Sequence, residues 1–324
     1  MEEQHTREVL RLISTAQQPL SGEKIAQELQ ITRAAIWKII QKLQAAGYLI
    51  ESRHRLGYVY HDNGKLNQYI IQRNLQLPAG YLLKFEIHQT IDSTNTRAKQ
   101  LSLHKNAPAL AVISDRQTAG YGRYGRNYSS PSGNIYLSLL LPNQSKQLDP
   151  GLLTTATALA VSLAIEKNLH VTPQIKWVND LLLDGRKIAG ILTEGVTNIE
   201  TRSIDQVVIG IGINYLTKID QLPAEVQQRA GSLRKFSLAA NLTRNQFIAA
   251  VLNEFFQLYQ NYQTGAFLAE YRKRCYLLQK EVTVTQNNQQ LVATAVDIDD
   301  QGRLVLDAGQ HLSSGEVVKV RLKK

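Results

Sequence analysis

The sequence is poor in cysteine: its 324 residues hold one, Cys275. That excludes an intramolecular disulfide and a cysteine-built zinc site. Long apolar runs are also missing. The longest mostly apolar stretch, around Ala156 to Ile165, is too short to span a bilayer. Met1-Glu2-Glu3-Gln4 has no apolar h-region, so no signal peptide is visible and the cytoplasm, with no membrane partner, is the expected setting. The seven histidines show no HExxH or other paired metal spacing, so no metal ligands are assigned. There is no internal repeat, no low-complexity tract and no Walker A sequence. The most telling absence is of acid: no Asp or Glu stands between Asp115 and Asp149.

That acid-free stretch contains Gly120-Tyr121-Gly122-Arg123-Tyr124-Gly125-Arg126, just after the strand-like Ala109–Ile113. A flexible backbone studded with arginine and cleared of acid suits an anion, phosphate above all. Gly120-x-Gly122-x-x-Gly125 has the dinucleotide-binding spacing. The next residues, Asn127-Tyr128-Ser129-Ser130-Pro131-Ser132-Gly133, are loop and not helix, and no acid stands about 20 positions on to hold a ribose. The Rossmann reading fails on both counts, and Arg123 and Arg126 must supply the positive charge themselves. Charge along the chain agrees. The net charge is +10, and residues 66–274 carry most of the excess, with 22 Lys/Arg against 14 Asp/Glu.

The first segment, residues 1–64, reads as three helices and a hairpin. Val9, Leu10, Leu12 and Ile13 form a helical stripe. Ser21 caps a second helix ahead of Ile25, Ala26 and Leu29. Thr32 caps a third, where Ile36, Ile39, Ile40 and Leu43 recur at helical spacing and Gly47 takes the left-handed C′ position. Tyr48–Glu51 and Leu56–Tyr60 are strands around Ser52-Arg53-His54-Arg55. This is the order of a winged helix-turn-helix. The Thr32–Ala46 helix carries three bases and no acid. Ala34, Trp37, Lys38 and Gln41 face outward beside Arg33 and can enter a major groove. Ser21 and Thr32 stand at the helix starts, and Arg53 and Arg55 can reach flanking phosphates. The alternative is a protein-interaction domain with a solvated basic face.

After the linker-like His61-Asp62-Asn63-Gly64-Lys65, residues 65–274 alternate strand and helix in an α+β pattern. Expected strands are Leu82–His88, Ala109–Ile113, Ile135–Leu141, Gln174–Val178, Lys187–Thr193 and Gln206–Ile213. Expected helices are Asn95–Leu103, Gly151–Asn168 and Arg244–Ala269. Residues 275–324 read as a small β-barrel of the SH3-like kind. Its strands are Glu281–Thr285, Leu291–Ile298, Arg303–Leu306 and Val317–Leu322, with turns at Asn287-Asn288, Asp300-Gln301-Gly302 and Ser314-Gly315.

The glycine-arginine loop has companions. Asp92-Ser93-Thr94-Asn95 precedes a helix, so Ser93 or Thr94 can cap it or bind a polar ligand head. Lys176-Trp177-Val178-Asn179-Asp180 ends a strand and sets a lysine beside amides and a carboxylate. In Arg186-Lys187-Ile188-Ala189-Gly190-Ile191-Leu192, Lys187 stands near the mouth of a buried strand. The glycines of Gly210-Ile211-Gly212-Ile213-Asn214 let something lie close against the backbone. Singly, each has a structural reading; the order in which they occur is what points to a site.

That order resembles the bifunctional biotin protein ligases that double as biotin-operon repressors. The match runs through the five motifs just named, through Gln117-Thr118-Ala119 ahead of the loop, and through Arg33-Ala34-Ala35-Ile36-Trp37-Lys38. The chain departs from the family pattern at Tyr121, where the family usually has Arg, and at Val178, where it usually has Pro. The resemblance implies a multidomain α+β chain: the winged helix, a central mixed α/β domain like that of class II synthetases, and the SH3-like barrel. It implies formation of biotinoyl-5′-AMP from biotin and Mg²⁺-bound ATP, then transfer of biotin to a lysine of a biotin carboxyl carrier protein of acetyl-CoA carboxylase or a related carboxylase. Lys187 and Arg123 are then the catalytic cations. Biotin would meet Ser93, Thr94, Asn95, Gln117, Tyr121, Gly122, Arg123, Lys187, Gly190, Gly210 and Gly212. ATP would meet Arg123, Arg126, Tyr128, Lys176, Asn179 and Asn214. Biotinoyl-5′-AMP would act as corepressor, driving a homodimer onto operator DNA. A lipoate or octanoate ligase, and a transcription factor that only senses a ligand, remain the alternatives.

Overall fold

The computed structural model describes residues 2–103, 108–143, 148–197, 203–286, 289–313 and 316–322. The chain divides into two compact units. The first comprises residues up to Leu75 together with Thr243–Ala249, and the second the remainder.

In the first unit, helices α1 (Glu2–Thr15), α2 (Gly22–Leu29) and α3 (Arg33–Ala45) precede the hairpin β1 (Leu49–Arg53) and β2 (Gly57–His61), then α4 (Gln68–Arg73). Local chemistry sets the boundaries. Ser21 Oγ accepts from Lys24 N at 3.1 Å and Thr32 Oγ1 from Ala35 N at 3.2 Å, so both expected N-caps form. Gly47 ends α3 at φ +93°, and Tyr48 N reaches back to Leu43 O. Val9, Ile13, Ile25, Ile36 and Ile40 fill the core. Leu20 exchanges both backbone bonds with Tyr58, a short strand pairing that no periodicity announced. Residues 61–65, expected as a linker, are tied down: Asn245 Nδ2 donates to Asp62 Oδ1 and to Lys65 O, and Arg244 Nε donates to Gly64 O.

The second unit is built on a seven-stranded sheet of order β3-β4-β5-β9-β8-β7-β6. Its elements are β3 (Lys84–Ile91), α5 (Thr94–Ser102), β4 (Leu110–Gln117), β5 (Ile135–Pro142), α6 (Pro150–Leu169), β6 (Gln174–Lys176), β7 (Asp180–Leu183), β8 (Arg186–Thr197) and β9 (Ile204–Ile213). Only β3 and β4 pair in parallel. Strand β7 was not expected; it turns into β8 through Asp184 and Gly185, both at positive φ. The Trp177–Val178 peptide is cis. Beyond the sheet lie α7 (Ala224–Gln227), α8 (Arg234–Ala239), α9 (Arg244–Tyr259, whose first residues belong to the first unit) and α10 (Leu268–Arg274). The single helix expected over Arg244–Ala269 is therefore wrong at its end. It stops at Tyr259, and Gly265 at φ +69° closes a 3₁₀ turn before α10. No helix among the described residues is long and apolar enough to cross a membrane.

The C-terminal strands β10 (Lys280–Gln286), β11 (Gln289–Ile298), β12 (Leu304–Leu306), β13 (His311–Leu312) and β14 (Glu316–Leu322) form an antiparallel sheet of order β13-β12-β11-β10-β14. The expected turns at Asn287-Asn288 and Ser314-Gly315 lie outside the described residues. The third, after Asp299, is organised by that side chain. Asp299 Oδ1 accepts from Gln301 N (3.0 Å) and Arg303 N (2.9 Å), and Oδ2 meets Arg303 Nε and His311 Nδ1 at 2.7 Å. The turn also serves the large sheet: Trp177 Nε1 donates to Gly302 O at 2.9 Å.

Burial alone would raise the Asp299 carboxyl, but the donors from His311 and Arg303 outweigh it and hold it down to about 2. The folded value lies below the unfolded value of about 3.9, so the stabilisation is complete above about pH 4 and is lost as pH falls through about 2. Asp299→Asn is expected to cost about 2 kcal/mol at neutral pH. In urea melts across that range, the variant should lose less stability on acidification than the parent.

Candidate functional site

The seven-stranded sheet, helix α5 and the glycine-arginine loop enclose a cavity of about 320 Å³. The expected biotin- and ATP-contacting residues line it, with one exception, Asn214. The cavity has two chemically distinct sides, one cationic and one neutral and hydrogen-bonding.

On the cationic side, Lys187 from β8 lies 2.6 Å from Asp180 Oδ1 at the start of β7. Its side chain folds over Gly190. A Cβ on that glycine would stand 3.0 Å from Lys187 Nζ, so the glycine leaves the lysine its path. Lys176, at the end of β6, is on the same wall. The loop is folded on itself. Gly122 N bonds Arg126 O, Tyr128 N bonds Gly120 O, and Tyr124 sits at φ +59°. The guanidinium carbons of Arg123 and Arg126 lie 5.3 and 5.9 Å from the centre of the Tyr124 ring, so one exposed ring organises two cations. Arg123 Nη1 also donates to Asn179 Oδ1 at 3.4 Å, while Asn179 Nδ2 donates to Ile191 O. Among the lining residues Asp180 is the one carboxylate.

The neutral side is assembled from the first turn of α5, the end of β4 and the glycines of β9. Ser93 caps α5, accepting from Thr96 N. Thr94 N donates to Gln117 Oε1 at 2.8 Å. The glycines of β9 admit side chains of the protein itself. A Cβ at Gly210 would collide with the Asn95 amide, and one at Gly212 with the Tyr128 phenol. Burial raises the Tyr128 hydroxyl, which stays protonated. Tyr121 donates its phenol proton to Glu194 Oε2 at 3.1 Å. Ile191, Leu192 and Ile211 supply apolar wall.

Asn214 is placed differently from expectation. Its Nδ2 donates to Lys187 O (3.2 Å) and Gly231 O (3.0 Å), fixing the backbone behind Lys187 rather than facing the cavity. The segment it ties brings in a residue that no motif announced. Lys187 N donates to Arg229 O and Gly231 N to Lys187 O, both at 2.8 Å, and Arg229 lines the cavity. Its only sequence signal was its charge.

In the first unit, Arg33, Ala34, Trp37, Lys38 and Gln41 are all exposed on α3, with Trp37 at 56 %. Ser21 and Thr32 accept the cap bonds already described. Arg55 occupies the hairpin tip at φ +60°. Arg53 Nε pairs with Glu51 at 3.1 Å, and His61 meets the same carboxylate at 3.0 Å. The bond from Arg53, then that from His61, holds Glu51 down to about 2.

Comparison with known proteins agrees with this geometry. The biotin/lipoate A/B protein ligase family matches residues 87–214, a helix-turn-helix domain matches residues 5–59, and the biotin protein ligase C-terminal domain matches residues 277–320. The bifunctional ligase/repressor BirA of Bacillus spizizenii is 34% identical over 315 residues, spanning 94% of this chain and 95% of that protein. The biotin–[acetyl-CoA-carboxylase] ligase of Mycobacterium tuberculosis is 34% identical over 223 residues, 65% of this chain and 79% of that one. In fold, the structure of the biotin protein ligase from Aquifex aeolicus in complex with biotin and ATP superposes with a TM-score of 0.58 at 24% identity, covering 74% of this chain and 99% of that one. A ligase domain preceded by a helix-turn-helix and followed by the matching C-terminal domain places this chain in the biotin protein ligase family, among its bifunctional ligase/repressors.

Proposed function

We propose that the cavity joins the biotin carboxylate to the α-phosphate of ATP and then passes the biotinoyl group to a lysine of a biotin carboxyl carrier protein. The observation that carries this reading is the gathering of Lys187, Arg123, Arg126, Lys176 and Arg229 around one cavity whose other side is neutral. A carboxylate attacking a triphosphate brings like charges together. Cations fixed beforehand at the reacting centre lower that barrier more than a general base would.

Lys187, on a strand braced by Asn214, is the cation for the carboxylate and α-phosphate. Arg123 joins it there, with Lys176, Arg126 and Arg229 on phosphate oxygens. Tyr128 is the aromatic wall for adenine. Magnesium fits the oxygen donors at this end: Asp180 and Asn179 would hold a triphosphate-bound ion, which partly neutralises the triphosphate. Gln117, Thr94, Ser93 and Asn95, with the Gly210–Gly212 backbone, face the ureido end of biotin. The folded loop keeps water from the mixed anhydride until the carrier lysine arrives.

In this reading residues 1–64, 65–274 and 275–324 are the DNA-binding, ligase and barrel modules of a cytoplasmic protein. The adenylate-bound form dimerises and sets two recognition helices on a palindromic operator.

Incubation with ATP, Mg²⁺, biotin and a carrier domain should add one biotinoyl group by intact mass. Absence of adenylate in purified protein would favour a ligand sensor. Lys187→Met should slow adenylate formation by about 10²–10³-fold. Arg229→Ala should raise KM for ATP about tenfold and leave KM for biotin unchanged. In gel shifts, biotin plus ATP should strengthen specific operator binding. Glu51→Gln frees Arg53 for phosphate, so it should tighten DNA binding and steepen the salt dependence by about one unit of log–log slope.

A further inference from the structure

Glu194 on β8 belongs to no motif and is not among the residues lining the cavity, yet it touches two that are. Its Oε2 accepts from Asn95 Nδ2 at 2.9 Å and from the Tyr121 hydroxyl at 3.1 Å. Its Oε1 accepts from Lys99 Nζ at 2.6 Å. The Lys99 ammonium also lies 5.4 Å from the centre of the Tyr121 ring. One carboxylate thus anchors the first turn of α5 and the start of the glycine-arginine loop.

Proton counting extends its influence. An ionised carboxylate only accepts, so the Asn95 NH₂ must face Glu194 and its Oδ1 must face the other way. There Oδ1 lies 2.6 Å from Ser138 Oγ, a fully buried hydroxyl that is also 2.7 Å from Thr94 Oγ1. Ser138 has one proton, and the Asn95 oxygen cannot return one. That proton therefore goes to Asn95, and Ser138 accepts the hydroxyl proton of Thr94. Gln117 is oriented from its far side: Nε2 donates to Ser130 Oγ at 3.0 Å, and Ser130 donates to Tyr128 O at 2.8 Å. The Gln117 carbonyl takes Thr94 N–H and also lies 3.1 Å from Thr94 Oγ1, but the one Thr94 hydroxyl proton goes to Ser138, the closer acceptor at 2.7 Å, so the carbonyl keeps its second lone pair. Thr94 Oγ1 keeps a lone pair as well.

We infer that Glu194 is a positioning residue for the biotin side of the cavity. Through Asn95 and Ser138 its charge sets the direction of the hydrogen bonds, so that Gln117 Oε1 and Thr94 Oγ1 face a ligand as acceptors. Through Tyr121 it pins the loop over that ligand. The ligand class this selects is one with N–H donors at its head, as in a cyclic urea. The inference rests on the ligase reading for the identity of the ligand, but not for the contacts.

The test uses Glu194→Gln and Tyr121→Phe in the full-length chain, with two readouts. In steady-state adenylation, Glu194→Gln should raise KM for biotin about tenfold and leave KM for ATP unchanged, the cost of one misdirected buried hydrogen-bond chain. Tyr121→Phe keeps the Asn95 arm, so its KM for biotin should rise less. In limited trypsin digestion of ligand-free protein, both variants should be cut at Arg123 and Arg126 several-fold faster than the parent, because both release the loop. Unchanged biotin KM together with unchanged digestion in Glu194→Gln overturns the inference. So does an equal rise in both KM values with a lowered melting temperature, the signature of general destabilisation. If the parent forms no adenylate, the ligase reading fails, while faster digestion still supports the contacts through Tyr121 and unchanged digestion overturns them.

Discussion

Cations crowded round a small cavity repel one another, and much of the local architecture answers that repulsion. The ring of Tyr124 stands beside the guanidiniums of Arg123 and Arg126. Asp180 partners Lys187. The backbone of Arg229 pairs with the lysine's own strand, and its guanidinium donates to Glu225 O at 3.4 Å. These contacts gather the positive charge at the cavity before any anion enters. Such a site need not reorganise when anions enter, and preorganisation of this kind separates an electrostatic catalyst from a basic surface patch.

The neutral side follows a different rule. Ser93, Thr94, Asn95 and Ser138 are buried polar groups, costly unless paired, and each side chain has a hydrogen-bond partner. Within the chain linked to Glu194, a half-satisfied network would leave the direction of every bond undecided. An acceptor-only carboxylate at one end removes that freedom. Two kinds of order thus meet at β8. Charge is fixed at its start by Lys187 and hydrogen-bond direction further along by Glu194, with Gly190 between them keeping the surface clear.

Much of this was legible in the sequence, for a physical reason. Helix caps, the Gly47 stop and the glycine-arginine loop are local: the residue that decides lies within a few positions of what it decides. The cavity wall was legible where short motifs carried it. What escaped depends on contacts distant in the chain. Arg229 is placed by pairing with Lys187, 42 positions earlier, and Asn214 was read as ligand-facing because nothing local reveals that two backbone carbonyls occupy its amide. Glu194 and Ser138 act through Asn95, nearly a hundred and some forty positions away respectively. The helix from Arg244 was read too long because its apolar pattern continues beyond the break at Gly265.

The bond from the Trp177 indole to Gly302 O spans 125 positions. Trp177 is buried at 3 % exposure and stands next to Lys176 on the cavity wall. An indole has one donor, and burying it without an acceptor is costly. As the chain leaves the ribosome, that acceptor is made long after the large sheet's last strand. The cavity wall beside Lys176 therefore has its full set of partners only in a chain that has been synthesised past Gly302. A turn that carries no chemistry of its own supplies the last acceptor for that wall.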